Sequence, residues 1–121
     1  MTLKKVFILA TFFVFTILHT FAYKQKEIAV WSDSMQKNVA VMVIIPDGYK
    51  STESLPVIYL LHGHAGNHQV WTKDGVVGVL ADQYNVIVVL PDGAYDSWYF
   101  DSPEVPGYCY ETFVSKELVS S

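Results

Sequence analysis

Two apolar runs constrain this chain more than any other feature: Val57–Leu61 (VIYLL) and Asn85–Leu90 (NVIVVL), both rich in β-branched residues and both stopped at once by a glycine-containing breaker. Runs of this length without polar alternation predict strands buried on both faces. Between them, Asp74–Tyr84 (DGVVGVLADQY) sets Val76, Val77, Leu80 and Ala81 at helical spacing despite Gly75 and Gly78. Strand, helix and strand in that order argue for a parallel α/β layer. Upstream, Glu27–Trp31 (EIAVW) and Asn38–Ile45 (NVAVMVII) predict two further strands, the second closed by the turn Pro46-Asp47-Gly48. Downstream, Glu111–Val119 resumes helical spacing through Phe113, Val114 and Leu118. The expected order is strand, strand, strand, helix, strand, helix, without internal repeats.

The start of the chain reads as an address rather than as structure. Lys4 and Lys5 precede an almost unbroken apolar run, Val6–Leu18, and Thr20 and Ala22 set small residues three and one before a cleavage point. A membrane span needs about 20 apolar residues. Residues 1–22 are therefore expected to be a Sec signal peptide and 23–121 the exported domain, periplasmic or extracellular, with no stable membrane span after cleavage. An uncleaved N-terminal anchor is the alternative.

Without that leader, 99 residues remain, with six lysines against twelve acidic side chains. This acidic balance lacks the basic stripe that nucleic-acid binding requires. The single cysteine, Cys109, excludes an internal disulfide and reads as a buried or unpaired thiol.

Ligands of parallel α/β sheets bind beyond the carboxyl ends of the strands. Three segments fall there: the HGHAG loop at 62–66, the loop from Pro91 to Pro103 (PDGAYDSWYFDSP), and the turn at Asp47. A glycine-rich turn straight after a buried strand can aim backbone N–H groups at a developing oxyanion. His62 is expected to cap its strand and fix the loop by hydrogen bonding. Zinc ligation by His62, His64 and His68 is the competing reading, but the run holds no carboxylate and the third histidine is awkwardly spaced. No metal and no cofactor are expected. Trp71, Trp98 and Tyr99 are candidate walls of a substrate pocket. Asp92, Asp96 and Asp101 are expected to form turns, and Glu111 to cap its helix.

Taken together, LPVIYLLHGHAGNHQVW, VIVVLPDGAYDSWYFDSP and YETFVSKEL resemble the N-terminal half of the esterase D-like group of α/β-hydrolases. That group includes S-formylglutathione hydrolases, feruloyl and acetyl xylan esterases, and the antigen 85 mycolyltransferases. The resemblance covers residues 26–119 and implies the N-terminal portion of an α/β-hydrolase fold, a mostly parallel sheet with flanking helices. It also implies serine chemistry on an ester substrate, small or polysaccharide-linked, with the backbone amide of His64 in the oxyanion hole. The departure is the nucleophile. Neither Ser51, Ser97 nor Ser102 lies in the G-x-S-x-G pattern of such enzymes. The resemblance thus implies a chain that stops before the nucleophile strand, lacks serine, acid and histidine of the triad, is inactive alone, and exposes Val57–Leu61 as an edge. A non-catalytic remnant or binding protein, and a metal-dependent hydrolase built on the histidine-rich loop, are the alternatives.

Overall fold

The computed structural model describes residues 22–121. The expected leader therefore lies outside the described residues, save Ala22. Four strands, β1 (Lys24–Ser32), β2 (Lys37–Ile45), β3 (Val57–Tyr59) and β4 (Ile87–Pro91), form one sheet in the order β1-β2-β4-β3. Helix α1 (Val76–Tyr84) connects β3 to β4. The C-terminal helical segment, α2, starts at Tyr110–Thr112 and continues through a wider π turn, Phe113–Glu117, into a tight turn at Leu118–Ser120. All six predicted elements are present. The sheet is mixed: β1 pairs antiparallel with β2, β2 antiparallel with β4, and β3 parallel with β4. The parallel pair is the one joined by a helix, because a parallel connection must cross from one end of the sheet to the other.

Period-two alternation divides the core between the two faces of the sheet. On one face, Val30, Val39 and Val41 pack with Tyr110, Phe113 and Leu118 of the C-terminal segment. On the other, Met42, Ile44, Val88 and Leu90 pack with Ala81 of α1. β2 and β4 are the doubly covered strands, which accounts for their unbroken apolar sequences. β3 departs from the expectation of burial on both faces: Val57 and Ile58 are 45% and 48% exposed. Among the described residues β3 has β4 on one side and no strand on the other, so the same apolar sequence ends up at an edge.

Carboxylates hold the elements together at their ends. Asp82 of α1 accepts the amides of Asp47 at 2.7 Å, Ala22 at 3.0 Å and Tyr23 at 3.1 Å, stapling the helix to the start of β1 and the end of β2. Tyr23 lies against Gly78, whose missing side chain leaves room for the ring. Gly75 precedes α1 with φ +73°, a conformation that favours glycine, and Asp74 accepts the Val76 amide at 3.1 Å. The cap of the C-terminal segment is Asp101 rather than Glu111: Asp101 accepts the Thr112 amide at 3.0 Å and also binds the Thr112 hydroxyl at 2.5 Å. These bonds hold the Asp101 carboxyl below its usual range.

Glu117 ties that segment back to the β1–β2 turn, accepting the Ser32 hydroxyl at 2.6 Å and the Ser34 amide at 2.8 Å. Burial pushes the Glu117 carboxyl up, but the bonds from Ser32 and Ser34 outweigh it and the net shift is downward. A carboxyl lowered by folding contributes stability above its unfolded value, and this is lost as pH falls through the folded value. Glu117→Ala is expected to cost about 1–2 kcal/mol at neutral pH, because buried Ser32 loses a charged acceptor. In thermal melts the gap between wild type and variant should be full above the ordinary glutamate value of 4.5 and close below it.

Candidate functional site

The loops after β3 and β4 meet at one end of the sheet and enclose a cavity of about 230 Å³, lined by residues 62–64 and 93–99. His62, which is buried, joins them. The Gly93 amide donates to His62 Nε2 at 2.8 Å, which requires a lone pair there and puts the ring proton on Nδ1. Nδ1–H then donates to the Gly63 carbonyl at 2.8 Å. The Gly66 amide donates to the same carbonyl at 3.1 Å, closing a tight turn with Ala65 at φ +60°. A side chain at Gly66 would press on His62 Nδ1, so glycine is required for this approach.

These bonds set the direction of one amide. Gly63 C=O and His64 N–H belong to the same trans peptide, so fixing the carbonyl on His62 and Gly66 points the His64 N–H the opposite way. That N–H has no acceptor among the described residues. The following amide, Ala65, is occupied by the Tyr95 carbonyl at 2.8 Å. The His64 N–H is thus a preorganised, unspent donor at a cavity.

Aromatic side chains frame it. The His64 ring stacks on Trp98, with centroids 5.8 Å apart, and meets Tyr95 edge-on at 4.8 Å. Trp98 stands at the rim, 72% exposed. Tyr99 lines the cavity but turns its hydroxyl onto the His62 amide at 3.0 Å. Trp71 is elsewhere: its indole N–H donates to the Leu61 carbonyl at 3.2 Å, and it does not line the cavity. The structure therefore brings His64, Trp98 and Tyr99 together and leaves Trp71 outside.

The three loop histidines differ in their shortest contacts, although His62 and His68 both approach Asp92 at 3.6 Å. His62 is committed to Gly93 and Gly63, and His64 to Trp98 and Tyr95. His68 reaches Glu27 on β1 at 3.1 Å and Asp92 at 3.6 Å. The His68 ring, followed by the Gln69 amide, holds the Glu27 carboxyl below its usual range. Among the described residues no group of three or more His, Cys, Asp or Glu side chains is placed to hold a metal ion. Asp92 forms the turn expected of it, accepting the Ala94 amide at 2.8 Å, while Asp96 accepts the Tyr108 hydroxyl at 3.1 Å.

Sequence reasoning missed Ser97 and the backbone of Gly93. Ser97 is buried, its hydroxyl donates to the Gly93 carbonyl, and the Tyr99 amide donates to Ser97 Oγ at 3.2 Å. Consecutive residues with positive φ, Trp98 and Tyr99 at +54°, make this contact, and nothing in their side chains signals such a backbone.

Comparisons with known proteins bear on the family and the fold. Residues 32–121 match the family described as "Putative esterase". The chain is 34% identical over 101 residues to an acetyl esterase of Caldicellulosiruptor saccharolyticus, covering 77% of this chain and 37% of that protein. A solved ferulic acid esterase superposes with a TM-score of 0.70 at 27% identity, over 84% of this chain and 43% of that one. An S-formylglutathione hydrolase from Agrobacterium tumefaciens gives a TM-score of 0.74 at 21% identity, with the same two coverages, a likeness that speaks for the fold alone. The chain spans less than half the length of each of these relatives. With its mixed sheet, crossover helix and HG loop, this chain has the α/β-hydrolase fold over that part and belongs to the esterase family.

Proposed function

We propose that residues 23–121 supply the oxyanion-binding side of an exported carboxylic-ester hydrolase, and that the serine, acid and histidine of its triad come from polypeptide beyond this sequence. The observation that carries this reading is the His64 N–H, without an acceptor among the described residues and aimed by the Gly63 carbonyl. Attack on an ester carbonyl moves negative charge onto its oxygen, and a fixed donor stabilises that charge more than it stabilises the neutral ester. Serine attack with a histidine base would follow the usual acyl-transfer course. Small acyl esters, free or on polysaccharides, suit a cavity of about 230 Å³ rimmed by Trp98. The acetyl esterase and ferulic acid esterase relatives support that substrate class.

The absence of G-x-S-x-G from the sequence favours a second reading for the chain by itself: a binding module without turnover. One experiment separates the two. Residues 23–121 alone are expected to hydrolyse p-nitrophenyl acetate no faster than buffer. Substituted for the matching segment of the Caldicellulosiruptor acetyl esterase, they are expected to restore hydrolysis to within about tenfold of the parent, since the oxyanion donor is a backbone group. A fusion that folds, by circular dichroism, yet stays inert refutes the esterase reading.

A further inference from the structure

We propose that Tyr99 is the positioning residue of the His64 amide, acting from beneath the loop through the N–H of His62. The proposal rests on the reading of His64 N–H as an oxyanion donor and adds the group that holds it in place.

Four hydrogen bonds form a closed circuit between the two loops. Ser97 Oγ–H donates to the Gly93 carbonyl, Gly93 N–H to His62 Nε2, His62 N–H to the Tyr99 hydroxyl oxygen, and Tyr99 N–H to Ser97 Oγ. His62 enters this circuit twice, through its ring and through its backbone. Its remaining ring nitrogen grips Gly63 C=O, the carbonyl that shares a peptide plane with His64 N–H. Removing the Tyr99 oxygen releases the backbone end of His62 while leaving the ring end attached, so the residue can rock about its ring.

The position of Tyr99 is built to be kept. Its ring lies edge-on to the His62 ring at 5.6 Å and fills the space where a side chain at Gly93 would stand. Burial, ahead of the neighbouring Asp92 charge, pushes the phenol up to about 12, while the bond from His62 opposes the shift. The phenol therefore stays neutral through the working range and can accept from His62 without introducing a charge beside the oxyanion.

Residue-level hydrogen exchange by mass spectrometry on the full chain tests this. Tyr99→Phe is expected to speed exchange about tenfold at the His62 amide, which loses its acceptor, and at the Gly66 amide, bonded to the Gly63 carbonyl that aims the His64 N–H. The Asp92 amide, bonded to the Ala40 carbonyl, and the Val86 amide, bonded to the Ala81 carbonyl, should keep their rates. Loss of a merely structural contact would speed all four together, and that result, or an unchanged Gly66 amide, overturns the proposal. If Tyr99→Phe does not fold, 3-fluorotyrosine at position 99 keeps the ring and weakens the oxygen as an acceptor. It should then speed His62 and Gly66 alone by about twofold, and unchanged exchange again overturns the proposal. An inert esterase fusion with selective exchange would remove the oxyanion reading but keep the Tyr99 circuit. An active fusion with unselective exchange would remove the Tyr99 proposal alone.

Discussion

His64→Pro in the active fusion should lower kcat for p-nitrophenyl acetate by about 10²–10³-fold and leave KM within about threefold, the signature of a donor used only in the transition state. Proline is the sharp probe because it deletes the one N–H in question. The turn also suits it. The Gly66 amide bonds back to Gly63 across His64 and Ala65, with Ala65 at φ +60°, the arrangement of a type II turn in which proline is favoured at the first central position. The residue ahead is Gly63, which tolerates the restriction that proline places on its predecessor. His64→Ala serves as the control. It removes the stacking on Trp98 but keeps the N–H, so it should change kcat by less than about tenfold. Equal losses in the two variants would show that the ring, not the amide, matters.

That result would bear on a donor no side-chain motif reveals. The strands were legible because apolar runs have no other use in a chain this acidic: NVAVMVII became β2 and NVIVVL became β4, both covered on two faces. The meeting of the loops after β3 and β4 at one end of the sheet was legible, because each loop directly follows an apolar run. The mixed pairing was not legible, because antiparallel β1 and β2 and parallel β3 and β4 use the same residues and differ only in their connections.

Tyr99 shows where side-chain reasoning stops. An aromatic triplet, Trp98-Tyr99-Phe100, in a polar loop reads as pocket wall, and Trp98 does stand at the rim. Tyr99 differs from it only because a left-handed backbone at both residues turns its phenol towards His62. Asp82 is hidden for a similar reason. Inside ADQY it looks like a solvent-facing helix residue, yet it receives three amides from segments 35 to 60 positions away. Partners at that separation leave no local pattern.

The second large effect concerns the β3 edge. Residues 23–121 alone are expected to associate at concentrations of about 10–100 µM, since an unpaired apolar edge strand is a template for pairing with another chain. Ile58 and Leu60 of this edge form, with Val77, Leu80, Tyr84, Val86 and Val88, a groove of about 250 Å³ lined wholly by apolar and aromatic side chains. Leu80 and Tyr84 are exposed like Ile58, so the groove opens to solvent rather than closing into the core. Ile58→Lys puts a charge on the edge at a half-exposed site, where it costs folding little and opposes pairing. Sedimentation velocity should show the variant shifted towards monomer, with an unchanged far-ultraviolet spectrum. The esterase fusion should be monomeric without the substitution, because its added polypeptide would cover the same edge, and Ile58→Lys there should instead lower stability by several kcal/mol as a charge buried without a partner. Residues 23–121 running as a sharp monomer without the substitution would mean that the edge is already satisfied, and would count against the groove as the seat of further polypeptide.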